Sequence, residues 1–390
     1  MRRVSAGDAA RRRAGVAVAL LAGALLAGAL LVGALGCGAT DAAPGAQGPT
    51  TRTSLVIGFL YVGSVHDRGY NEAAYEGSLA VRRAFPDAQI IQAENVPESP
   101  AAERVMLRMI DRGASIIFAT SFGHLEPALT VAARHPSVTF LHQGGLQTAG
   151  NLGTYFGTIW EAQYAAGQAA AMASRTDRLG FVAAYPIAQS LLSINAFELG
   201  ARSVNPRART RVLFTASWCD PVAQRRAAKQ LLAWRADVLT QHQDCTATVI
   251  RVAEAAGAMT TGYHSDARDL APDGWLTGSV WNWGPLYVDM VRTVAAGGFA
   301  QSPYASRYRA GIRDGTVRLA SFGPAATATI RRRVMATYGK LRAGQLEPFA
   351  GPVRDQRGRL RIRGPQPSVT TLEETDFLVS GVVGTTSPGR

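Results

Sequence analysis

From Ser54 onward, short β-forming runs alternate with longer helix-forming runs, and partway along the chain the whole alternation begins again. Leu55–Leu60 is an apolar strand-length run, followed by a helical pattern from Tyr70 to Ala84. Gln89-Ile90-Ile91 opens a second strand, and Val105, Met106, Met109 and Ile110 mark a helix within Ser99–Arg112, with Ser99 as its expected N-cap. Ser115–Ala119, Val138–Leu141 and Gly153–Phe156 continue the strands. The second set reads Leu179–Tyr185, Arg211–Trp218, Asp237–Gln241, Ala258–Tyr263 and Leu276–Val280, with helices around Ile194, Arg225 and Val249 and after Gly284. Strands that alternate with helices of this length form parallel sheets covered on both faces. Two consecutive sets predict an α/β protein of two similar, doubly wound halves. Roughly 340 residues after the N-terminal region is also more than one ordinary core accommodates.

The first 36 residues have a different character. Arg2, Arg3, Arg11, Arg12 and Arg13 precede an uncharged run of Ala, Leu, Val and Gly from Ala14 to Gly36. A basic head, an apolar stretch and a small residue before Cys37 are the anatomy of an export signal. The cysteine at the break makes residues 1–36 resemble a lipoprotein signal, with Cys37 the expected lipidation site; Ala34 stands where such signals usually carry Leu. The alternative is an uncleaved anchor, because the apolar run as a helix would extend about 35 Å. Either way the chain is exported and tethered. Residues 37–53 are small, polar and rich in Pro and Gly, and read as a flexible tether.

The formal net charge is +13, but part of it belongs to the signal and part to late runs such as Arg331-Arg332-Arg333. Anionic lipid is a conceivable partner for such a surface. Nucleic acid is not expected, since no binding motif is present and the chain reads as exported. Of the three cysteines, Cys219 and Cys245 remain if Cys37 is modified. Both follow strand runs expected to be neighbours in one sheet, and outside the cytosol they are a possible disulfide.

In parallel sheets, ligands gather beyond the carboxyl ends of the strands. Those positions here hold Asp67-Arg68-Gly69-Tyr70-Asn71, Ser121-Phe122-Gly123-His124 and His142-Gln143 in the first set. In the second they hold Ser217-Trp218-Cys219-Asp220-Pro221, Gln241-His242-Gln243-Asp244, Tyr263-His264-Ser265-Asp266 and Trp281-Asn282-Trp283-Gly284. Any one aromatic would ordinarily be core, but several at strand ends of both sets point to a cleft for a flat, polar-edged heterocycle. The six histidines have no metal-ligand spacing, so no metal and no cofactor is expected. Asp67 and Asn71 also suit the N-terminus of the first helix, and Asp220 before Pro221 reads as a helix start.

The same residues resemble the basic membrane lipoprotein group of solute-binding proteins, which serve ATP-driven importers. The resemblance rests on Asp67–Asn71, on the Ala/Gly-spaced helix within Tyr155–Ala171, and on Asn195–Ala201, Ala236–His242, Gly262–Asp266 and Pro348–Pro352. It spans about Ser54 to Gly384 and implies a type I periplasmic-binding fold, with two lobes joined by three crossovers. Residues 54–159 and 283–309 would form one lobe, and 160–282 and 310–390 the other. Trp281 replaces the Lys of the nucleoside-binding branch, whereas Ser121–Gly123, Ser217–Pro221 and Asn282–Pro285 are similar to a Trp-containing branch associated with free purine bases. Even there, Tyr70 stands for a usual Trp, His264 for an Asp and Trp281 for an Asn.

The resemblance implies a lipid-anchored binding protein, not an enzyme, that takes a purine base or nucleoside and delivers it to a membrane permease. Tyr70, Phe122 and Trp218 are the candidates for the ring faces, and Asn195 and Asp266 for its edge, with Asn71 and Asn282 as further ligand-binding candidates. Glu161 is expected at the hinge or as a helix cap. A nucleoside-processing enzyme and a ligand sensor for a membrane receptor are the alternatives.

Overall fold

The computed structural model describes residues 55–386. The expected signal (1–36), the lipidation site Cys37 and the tether (37–53) lie outside the described residues. Five strands open the chain: β1 (Val56–Leu60), β2 (Gln89–Ala93), β3 (Ile116–Ala119), β4 (Thr139–Gln143) and β5 (Leu152–Gly157). Between them run α1 (Tyr70–Ala84), α2 (Ala101–Asp111) and α3 (Leu125–Arg134). After α4 (Trp160–Ala173) the pattern restarts with β6 (Arg178–Ala183), α5 (Ala188–Val204), β7 (Arg209–Phe214), α6 (Pro221–Ala233), β8 (Val238–His242), α7 (Ala247–Ala255), β9 (Met259–His264) and β10 (Trp275–Trp281). The chain then returns through α8 (Trp283–Ala295) to β11 (Arg307–Ala310), and crosses again to β12 (Val317–Leu319) and α9 (Ala328–Arg342).

Two sheets result. The first has the order β11-β5-β4-β3-β1-β2 and is parallel throughout. The second runs β12-β10-β9-β8-β6-β7 and is closed at its β7 edge by the short parallel strand Val382–Val383. Only β12 is antiparallel in it. The chain thus passes between the sheets three times, after β5, after β10 and after β11. β1 is buried along its whole length, as a strand covered on both faces must be.

The apolar helix after the first crossing is short-sided for a reason. α4 packs along α5 so closely that a Cβ on Gly167 would sit 2.0 Å from the carbonyl oxygen of Phe197. Only small residues permit that approach, which explains the Ala-rich face of α4. Below the strand ends of the first sheet, Tyr155 and Tyr287 both donate from their hydroxyls to Gln143 Oε1, at 3.1 and 2.8 Å.

Three local expectations need adjustment. β7 and β8 are not neighbours, because β6 lies between and pairs with both. β7 ends at Phe214, and Ala216 takes a left-handed φ of 55°, so Trp218 stands on a loop instead of a strand. α2 begins at Ala101; Ser99 sits one residue outside the N-cap, and its Oγ accepts from Ala101 N at 3.3 Å.

Candidate functional site

Asp67 organises the entry into α1. Its carboxylate accepts from the backbone N–H groups of Gly69, Asn71 and Glu72 at 2.8, 3.0 and 3.0 Å, and from Asn71 Nδ2 at 2.7 Å. A carboxylate that satisfies orphan helix-start donors is a cap. This arrangement uses up Asn71 as well, whose Oδ1 accepts from Gly63 N at 3.2 Å. Tyr70, the residue before Asn71, is thereby aimed from α1 toward the second half, where His264 lies. Its ring meets His264 edge-on, with centroids 5.1 Å apart.

A small cavity of about 20 Å³, with the halves closed on it, lies between the two sets of strand ends. From the first half it is bordered by Tyr70, Ser121, Phe122 and Phe156. Gln189, Trp218, His242, Asp244 and His264 border it from the second. The three ring-face candidates therefore meet in one place. Phe122 keeps 37 % of its surface exposed although it is a large apolar residue, which is how a lid over a cleft differs from core. Trp218 is set by Tyr185, whose ring packs edge-on at 5.1 Å.

The loop carrying Trp218 is stapled to the loop carrying the cavity's carboxylate. Cys219 and Cys245 form a disulfide with Cα atoms 5.2 Å apart, and Asp244 N donates to Trp218 O at 2.9 Å. The two strands need not be adjacent for this, since only β6 lies between them and it pairs with both. Asp220, next to Cys219, caps α6 by accepting from Val222 and Ala223 N–H.

Asp244 is the polar group that sequence reading passed over. It is buried, and among the described residues no donor or cation is paired with its carboxyl group. Burial, together with the charges of Asp67 and Glu98, pushes that carboxyl well above the ordinary range. His242 and His264 behave in the opposite sense, since burial disfavours the imidazolium: His242 falls to about 3 and His264 well below its usual value. His242 Nδ1 lies 2.9 Å from the Tyr263 hydroxyl, and Trp281 Nε1 donates to His264 Nδ1 at 2.7 Å. Backbone geometry marks the same rim. His264, Ala216 and Arg68 all adopt left-handed φ values, 70°, 55° and 58°, which costs a non-glycine residue about 1–2 kcal/mol. Strain of this kind gathers where side chains are aimed for use.

The remaining candidates lie elsewhere. Asn195 is fully buried in α5, where Nδ2 donates to Phe377 O at 2.8 Å and Oδ1 accepts from Val379 N at 2.9 Å. Its amide anchors the C-terminal segment, and the fully buried side chain does not border the cavity. Asp266 is exposed and accepts from Arg268 N and Ser321 N at 3.3 and 3.0 Å, bracing a loop outside the cavity. Asn282 spans two crossings: its backbone N–H donates to Thr316 O at 2.8 Å and its Nδ2 to Gly315 O at 2.9 Å. Glu161 acts at the same hinge, accepting from Ile312 N at 2.8 Å. Among the described residues no cluster of His, Cys, Asp or Glu is arranged to hold a metal ion.

The halves touch around the cavity. Gln189 Nε2 donates to Gly144 O at 3.0 Å, and the Ser265 hydroxyl donates to Arg68 O at 2.6 Å. The Arg68 guanidinium pairs with Asp269 across the same gap. Two sheet-bearing halves, three crossings and a bordered slot between strand ends make a clamp for a small molecule.

Comparison with known proteins agrees. Residues 54–334 match the family described as ABC transporter substrate-binding protein, PnrA-like. The chain is 34 % identical over 330 residues to a purine-binding protein of Brucella abortus, covering 84 % of this chain and 93 % of that one. It is 32 % identical over 304 residues to a putative ABC transporter glucose-binding protein of Haloferax volcanii, covering 78 % and 76 %. In three dimensions it is similar to a solute-binding protein of an ABC transporter system from Conexibacter woesei, with a TM-score of 0.62 at 20 % identity over 75 % of this chain and 98 % of that one. The fold is thus the type I periplasmic-binding fold, and the chain belongs to the PnrA-like family of ABC-transporter substrate-binding proteins.

Proposed function

We propose that this substrate-binding protein captures a purine base or nucleoside between its two halves and presents it, from a lipid anchor at Cys37, to the permease of an importer. Its family is one of binding proteins for importers, not of enzymes, and works outside the cytoplasm. The observation that carries the purine reading is the set of rings from both halves, Tyr70 and Phe122 from one and Trp218 from the other, bordering one slot. Stacking on such rings is worth about 1–3 kcal/mol per base. The edge of the ring then meets Asp244 and His264, in place of the Asp266 and Asn195 favoured by sequence alone. A purine offers both N–H groups and ring nitrogens to that pair.

The Haloferax relative is named for glucose, so a sugar is the competing ligand. A hexose needs a partner for most of its hydroxyls, and this slot has more ring surface than free polar atoms. The lobes are read as residues 54–159 with 283–309, and 160–282 with 310–390. Closure of one on the other is favoured by ligand that contacts both. Mass spectrometry of small molecules released from the purified protein, with calorimetric titration of adenine, adenosine and glucose, tests the reading. Binding of glucose alone would overturn it. A mobility shift of the precursor when lipoprotein signal peptidase is inhibited tests the anchor.

A further inference from the structure

Trp281 ends β10 and turns its indole toward the cavity wall. An indole N–H can only donate. Its Nε1 lies 2.7 Å from His264 Nδ1, so that ring nitrogen must be the acceptor. A neutral imidazole with an accepting Nδ1 holds its proton on Nε2. His264 is 1 % exposed, and its surroundings are rings: Tyr263, Tyr70 and His242, with centroids at 4.1, 5.1 and 5.8 Å. Nε2 is buried with no hydrogen-bond partner among the described residues, although the ring borders the cavity. A buried N–H that meets no acceptor is costly, and a site that leaves one rejects ligands unable to satisfy it.

We infer that Trp281 is a positioning residue that locks His264 as an Nε2–H donor, and that the paired donor at His264 and acceptor at Asp244 select a neutral heterocycle edge with a ring-nitrogen lone pair beside an N–H. The tautomer half of this stands on the hydrogen bond alone; the ligand half rests on the purine reading. Adenine has such edges, and replacing one ring nitrogen by C–H removes the acceptor while leaving the shape.

Two measurements test it. Nitrogen-15 spectra of the histidine-labelled protein without ligand, with His264 assigned by the His264→Gln variant, should report the Nε2–H tautomer between about pH 5 and 8. In Trp281→Phe the tautomer should shift toward a mixture. Calorimetry with adenine and its 1-, 3- and 7-deaza analogues should show one analogue binding at least about tenfold more weakly to the native protein. Trp281→Phe should lose affinity for adenine by a similar factor but discriminate less against that analogue. An Nδ1–H or charged His264 in the native protein overturns the proposal, as does equal binding of all three analogues. Should adenine itself fail to bind, the purine reading falls, and the tautomer spectra still decide the role of Trp281.

Discussion

The backbone N–H of Tyr70 donates to the carbonyl oxygen of Asp244 at 3.1 Å, tying the start of α1 to the loop after β8. One residue supplies a ring face to the cavity and the other its buried carboxyl. The same two residues therefore tie the halves together and border the cavity. Arg68 adds to the seam, because its carbonyl accepts from the hydroxyls of Thr246 and Ser265. The inter-half contacts and the cavity border thus share one stretch of chain, so a molecule held in the cavity would meet the residues that join the halves.

Gly69 sits inside that seam. A Cβ there would lie 1.7 Å from Asp244 O, so Gly69→Ala holds the halves apart without entering either core. Affinity for adenine should fall by about tenfold or more, since a ligand then contacts one half only. Small-angle scattering should show no compaction on adding ligand. Compaction equal to that of the native protein would contradict the role given to the seam.

Trp218 and Asp266 should respond oppositely. Removing a stacking ring costs about 1–3 kcal/mol, so Trp218→Ala should weaken adenine binding by about 5- to 150-fold. Asp266→Ala takes away only the acceptor for Arg268 and Ser321 N–H groups, and should change affinity by less than about threefold. Calorimetry on both variants checks the assignment, and a large loss in the Asp266 variant would restore it to the site.

Asp244→Asn should bind more weakly yet unfold at higher temperature. The folded protein raises the carboxyl of Asp244, so the neutral acid is the form the fold favours. Its contribution to stability is full below the ordinary carboxylate range and is lost as pH rises through the raised value. The variant cannot ionise, so its thermal advantage over the native protein should be largest at pH 8 and shrink toward pH 4. Affinity for adenine should fall by about tenfold at pH 8, where the native carboxyl can ionise against a ligand N–H and the amide cannot. A native protein equal to or more stable than the variant at pH 8 would contradict the placement.

The disulfide should matter to binding as well as stability. Cys219 and Cys245 are 26 residues apart, and closing a loop of that length contributes about 3–4 kcal/mol in the chain-entropy account. Their neighbours in sequence are Trp218 and Asp244. Replacing both cysteines with serine should lower the melting temperature and weaken adenine binding together. Unchanged affinity with reduced stability would assign the bridge a purely structural part.

Caps were legible before any coordinates because they are local. Asp67 and Asp220 reach backbone N–H groups two to five residues on, and residue type with spacing suffices to predict that. The aromatic strand ends were legible for a similar reason, since parallel sheets place them at one edge. Asn195 shows the limit. Its amide is consumed by Phe377 and Val379, more than 180 residues away, and no local pattern announces such a partner. Asp244 and Asp266 illustrate the same limit from the other side. Both are acidic residues just beyond a strand, and they differ only in what the loops fold against.

The sequence by itself determined the α/β alternation, its restart, the resemblance to a binding-protein family and the rings at the strand ends. These depend on periodicity and side-chain type, which neighbouring residues carry. Tertiary structure alone decided that Asp244 is buried in the slot and Asp266 braces an outer loop, that β6 separates β7 from β8, and that Trp281 faces His264. Each is a question of which distant group satisfies or abandons a polar atom, and only the packed chain settles that.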